Sequence, residues 1–183
     1  MSTDRPWYRE PETFIALAAL VVSVSAVAIG LYEASLQRAH DRAEVWPRVE
    51  ISTYVTQTGG ELWLQNTGIG PALIKSVVVA VDGKPQRSWD EVLRTLYGRE
   101  PPVHSSSSTV EHALRAGDRT TMVGLAKADM PPGFWPWIAR VSVRVCYSSV
   151  FNEYWTVGDD HLGGTSKWQE VSSCPPQAAG TDF

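Results

Sequence analysis

Apolar positions fall into two regimes along this chain, an unbroken block near the start and then a long tract in which apolar and polar residues alternate. The block is Phe14 to Tyr32, nineteen residues (FIALAALVVSVSAVAIGLY) without a charge. A helix of that length spans about the 30 Å hydrocarbon layer of a bilayer. Leu, Val, Ile and Ala go all the way round it, interrupted only by Ser23, Ser25 and Gly30, so it lacks the polar face of a core helix in a small soluble domain. A cleaved signal peptide is the other competitor, and Ala26-Val27-Ala28 has the small-x-small form of a cleavage site. Against cleavage stand a run longer than an ordinary signal core and a flank that sets Asp4, Glu10 and Glu12 beside Arg5 and Arg9. The pattern predicts a tail over residues 1–12 and a retained transmembrane helix over 13–32. Because EASLQRAHDRAEV is free of Gly and Pro, it also predicts a helical stalk over 33–45.

From residue 48 the period changes to two. Val49, Ile51, Thr53 and Val55 share one face of a first strand, Gly59-Gly60 reads as its closing turn, and Glu61 to Asn66 returns as the partner in a hairpin. Ala72 to Val81 (ALIKSVVVAV) is apolar enough for a strand buried on both faces, closed by the hairpin signal Asp82-Gly83. Ser88-Trp89-Asp90-Glu91 has the capping-box form, and Trp89, Val92, Leu93 and Leu96 follow at helical spacing up to Gly98. Residues 100–108, with Pro101-Pro102 and four serines, read as an exposed loop. Strands are expected at Thr109–Leu114, Thr120–Leu125, Ile138–Tyr147 and Tyr154–Val157, with Met130 to Trp137 crossing between sheets.

Seven or eight short strands, one helix and no βαβ alternation give the fold class: mainly β, an antiparallel immunoglobulin-like β-sandwich over residues 46–171 with one short inserted helix, behind a single N-terminal transmembrane helix. Residues 172–183 hold Pro175-Pro176 and no periodicity and are expected to be disordered.

The stretch from Trp46-Pro47 through LQNTGIGPALIKSVVVAVDGK, the Ser88-Trp89-Asp90-Glu91 start and the late Val145-Cys146-Tyr147-Ser148-Ser149-Val150-Phe151 hairpin resemble a group of uncharacterised bacterial proteins. Members have one N-terminal membrane helix and a small extracytoplasmic β-sandwich. In that group the late hairpin is richer in cysteine, where Ser148 and Tyr154 stand here. The resemblance implies the fold and topology and carries no activity.

Charge narrows the partners. Residues 43–183 hold 12 Lys and Arg against 15 Asp and Glu, a net of −3 with no basic block, which argues against nucleic acid. The positive-inside count, Arg5 and Arg9 against Arg38, Arg42 and Arg48, leans towards a cytosolic domain. The short N-terminal flank, the absence of lysine before Lys75, and a cysteine pair able to form a Cys146–Cys174 disulfide lean the other way, and the expectation is a single-pass inner-membrane protein with its domain outside the cytoplasm.

Chemistry-bearing clusters are few. Asp159, Asp160 and His161, with Glu153 upstream, supply metal-ligand types, but adjacent aspartates on a strand point to opposite faces. His104, His112 and His161 accompany Ser105 to Ser108 without a Gly-x-Ser-x-Gly elbow, so no catalytic residue and no cofactor is assigned. Most tryptophans are expected in the core, whereas Phe134, Trp135 and Trp137, in a proline-bounded crossover, cannot all point inward and are candidates for contact with a partner. Ala26, Gly30 and Ala34 form a small-residue ridge on which two helices could meet. The expected function is a membrane-tethered binding or assembly module whose partners are the bilayer and either another envelope protein or a second copy. The alternative is a small metal-dependent or hydrolytic enzyme built near the last hairpin.

Overall fold

Thirty-four residues, Pro11–Glu44, form one uninterrupted helix, α1. Pro11 has no N–H to lose in the first turn, Glu12 faces the positive end of the helix dipole and Arg42 the negative end. Its length is about 51 Å. The helix is long and apolar enough to span a membrane, and its apolar side chains are exposed along the whole run. Two of its three serines turn their hydroxyls back onto the helix, Ser23 to the Ala19 carbonyl at 2.7 Å and Ser35 to that of Tyr32 at 2.7 Å. The computed structural model describes residues 11–131, 136, 138–159, 161–162 and 166–183, and the chain divides into two units, 1–43 and 44–183.

The second unit is built from β1 (Val49–Val55), β2 (Gly59–Asn66), β3 (Ala72–Val81), β4 (Lys84–Pro85), α2 (Trp89–Tyr97), β5 (His104–Ser106), β6 (Ala113–Leu114), β7 (Arg119–Ala126), β8 (Val141–Ser148), β9 (Tyr154–Asp159) and β10 (Lys167–Val171). One antiparallel sheet runs β1-β2-β7-β5, the other β10-β9-β8-β3-β4 with β6 also on β3. Taken in chain order, β1-β2-β7-β5 facing β3-β8-β9 is the strand order of a constant-type immunoglobulin sandwich, with β4 and α2 inserted before β5 and β10 added outside β9. Val49, Leu62, Leu64 and Met122 from the first sheet meet Ile74, Val77, Val79, Val143, Val145 and Val157 from the second in one buried cluster, which is closed at one end by Trp89, Val92 and Leu96 of α2.

The Asn-Thr-Gly-Ile-Gly-Pro-Ala turn has a buried hub. Asn66 donates from Nδ2 to the carbonyls of Gly70 (2.8 Å) and Leu114 (3.0 Å), while its Oδ1 accepts from the N–H groups of Arg48 (3.2 Å) and Gly68 (3.0 Å). The two glycines are there for space, since a Cβ on Gly70 would lie 1.8 Å from the Val45 carbonyl oxygen and one on Gly68 2.3 Å from the Arg48 nitrogen. On the free edge of β1, the buried Tyr147 hydroxyl accepts from the Val49 N–H (3.4 Å), and the Trp168 indole donates to the Val49 carbonyl (2.7 Å). Burial pushes the Tyr147 phenol above its ordinary pKa.

Several expectations change. The first hairpin turns at Thr56–Thr58, held by the Thr56 hydroxyl, which accepts from the N–H groups of Thr58 and Gly59 at 3.1 Å each. Gly59-Gly60 belongs to β2 instead, paired with Ala126 and Leu125 of β7, and position 59 is glycine because a Cβ there would lie 2.2 Å from the Leu125 carbonyl oxygen. The serine-rich stretch contains the edge strand β5, and residues 109–114 keep only the two-residue β6. Ser88 caps α2 by accepting from the Glu91 N–H at 3.3 Å, but the Glu91 carboxylate takes the Arg87 N–H (2.6 Å) where a full capping box would take that of Ser88. Among the tryptophans of the described strands and α2, only Trp89 is fully buried.

The segment 172–183, expected to be disordered, is packed. Cys174 is disulfide-bonded to Cys146 of β8. Gln177 Oε1 accepts from the Val77 N–H at 2.8 Å, and the Asp182 N–H donates to the Arg87 carbonyl at 2.7 Å. Phe183, 1% exposed, meets Trp89 edge-on with ring centroids 5.5 Å apart. These anchors are single residues at irregular intervals, which leave no periodic trace.

Candidate functional site

The outer face of the first sheet carries a trough of about 690 Å³, within the usual size range of ligand sites. Register builds it. Tyr54 pairs with Glu61, Glu61 with Gly124, and Gly124 with Ser105, so these four form one row across all four strands on the solvent side. The glycine in that row opens the floor. A Cβ on Gly124 would sit 2.7 Å from the Ser105 Oγ and 3.5 Å from the Glu61 Cγ. Thr56 and Thr58 of the β1–β2 turn line it as well, as do Val103 and His104 at the start of β5.

The wall on the β1–β2 side is an aromatic and charged stack. Tyr54 and Trp63 are diagonal neighbours across the hairpin, their rings stacked at 5.0 Å with 28° between planes. The Arg119 guanidinium lies 4.0 Å from the centre of the Trp63 ring, in cation–π contact. A register break between Leu62 and Trp63 shifts the pairing, so that Arg119 faces Gln65 while Trp63 faces Thr121. Glu61 Oε2 accepts from the Trp63 indole at 2.7 Å, fixing the ring and leaving Oε1 without a partner among the described residues. Arg119 has no hydrogen-bond acceptor and no ion-pair partner among the described residues, although it lines the trough and is exposed. Tyr54 is 52% exposed. His104 serves another purpose, its Nε2 3.7 Å from the Asp90 carboxylate on α2.

This arrangement can bind without bond-making chemistry. A guanidinium, a carboxylate oxygen, the Ser105 hydroxyl and two rings converge on a floor whose backbone groups are already paired in the sheet. Positions singled out from sequence lie elsewhere. Asp159 ends β9, His161 is exposed, Asp160 lies outside the described residues, and no group of three His, Cys, Asp or Glu side chains is placed to hold a metal among the described residues. Phe134, Trp135 and Trp137 also lie outside the described residues. Ala26, Gly30 and Ala34 are exposed on α1, with open space around Gly30.

Period-two alternation places Tyr54, Glu61 and Trp63 on the outer face of the first hairpin, so half the wall was accessible from sequence. Arg119, Gly124 and Ser105 join it only through β2–β7 and β7–β5 pairing between distant segments, for which no local signal exists. Comparison of the chain with protein-family models, with curated proteins and with solved structures finds no match.

Proposed function

We propose that this chain is a membrane-tethered binding module, held by α1 in the bacterial inner membrane with its sandwich outside the cytoplasm, and that the trough on the first sheet is its binding face. The observation that carries the reading is Arg119, without an ion-pair partner among the described residues, stacked on Trp63 over a glycine floor, so that a cation and an aromatic stack line an open trough. The length and apolar surface of α1 support tethering. The Cys146–Cys174 bond supports an oxidising compartment.

Two measurements test it. A cysteine at position 105 in the full chain should react with a membrane-impermeant maleimide when the outer membrane is permeabilised; protection until the inner membrane is broken places the domain in the cytosol and ends the topology. A photo-crosslinking residue at position 105 should give discrete adducts in growing cells, and one at Arg115, in the turn before β7, should not. Equal labelling from both positions, or none from either, counts against the trough.

A further inference from the structure

Resting on that reading of the trough, we infer that its ligand is a carboxylate-bearing oligosaccharide. Arg119 supplies the anion site. Its guanidinium is pre-oriented by the Trp63 ring at 4.0 Å and has no acceptor among the described residues, so a ligand carboxylate can take two of its N–H groups without displacing a protein partner. Glu61 adds a hydroxyl acceptor beside that anion site. A carboxylate in the same trough penalises a doubly charged phosphate and instead accepts hydroxyl donors at Oε1, its other oxygen being held by Trp63.

The remaining lining favours a polyhydroxylated chain over a peptide. An added peptide strand would pair along the outer edge of β5 and not over the trough floor, whose backbone is already paired between β2, β7 and β5. Apolar lining beyond the two aromatic residues is limited to Val103, Leu125 and Ala126, of which Leu125 is buried, so a peptide finds no pocket for an apolar anchor. Sugar rings need neither. Their C–H faces pack against tyrosine and tryptophan, and their hydroxyls pair with Glu61 and Ser105.

The test uses the full chain in phospholipid nanodiscs, titrated calorimetrically with tetragalacturonate, its fully methyl-esterified form and tetraglutamate. Saturable binding of tetragalacturonate is expected, weakened roughly tenfold or more by R119Q and by esterification. R119Q should keep a single cooperative unfolding transition, shifted only by the loss of one exposed cation–π contact. Arg119-dependent binding of tetraglutamate but not of the uronate overturns the saccharide while leaving the trough in use. Uronate binding indifferent to R119Q overturns the assignment to this site. No binding by any probe overturns the ligand class, and the crosslinking at position 105 then decides separately whether the trough binds anything.

Discussion

Asn66 shows how much one side chain can carry. Its amide is fully buried and uses both donors and two acceptor positions on four backbone groups, at Arg48, in its own turn (Gly68 and Gly70) and at Leu114. Asn66→Asp removes both donors and sets a carboxylate against two carbonyls, so a loss of about 3 kcal/mol or more is expected in urea unfolding. A loss within experimental error would mean that the turn holds itself. The motif was visible in the sequence as a turn, but its reason was not, because the Leu114 carbonyl comes from 48 residues away. Tyr147 gives a pH signature. Its folded pKa is raised, so the native state keeps the proton after the unfolded chain loses it, and stability should fall as pH rises from about 10. Tyr147→Phe should cost about 1 kcal/mol at neutral pH by orphaning the Val49 N–H, and should flatten that alkaline decline. Denaturation midpoints at pH 7 and pH 10.5 check both.

Among the elements, those with strong local patterns are the ones the sequence made legible. The bounds of β3 were readable to the residue, from an apolar run ending at Asp82-Gly83, whose positive φ angles of 49° and 76° suit a two-residue hairpin loop. The strands β5 and β10 were not readable, since each is an edge strand exposed for most of its length and needs no alternation. The C-terminal segment is the largest departure. Phe183→Ala should cost about 3–5 kcal/mol by emptying the space beside Trp89. Replacing both cysteines by serine, which opens a link across a sequence separation of 28, should cost about 3–4 kcal/mol in the chain-entropy account. Proteolysis after Cys174 in the double variant but not in the parent would show that the bond holds this segment down. If both variants unfold like the parent, the tail is a passenger.

The whole molecule divides after Ala43, and residues 44–183 contain the buried core, both sheets and the disulfide. Residues 44–183 expressed alone in an oxidising compartment should therefore unfold cooperatively and, on the proposed function, retain whatever binding the full chain shows. Non-cooperative unfolding would mean that the helix is needed for folding as well as for placement. Tethering as proposed would also have a geometrical cost for a β protein. Molecules confined to a plane meet repeatedly, and an open strand on one would add to the sheet of the next, then to another, until a ribbon formed. At the start of β1 that growth is denied its first bonds, because the Val49 N–H and carbonyl are already spoken for by a phenol from β8 and an indole from β10. With the domain tethered as proposed, Trp168→Phe together with Tyr147→Phe, which keep the rings and remove only the two blocking polar groups, should promote lateral association between copies, read by crosslinking in the membrane.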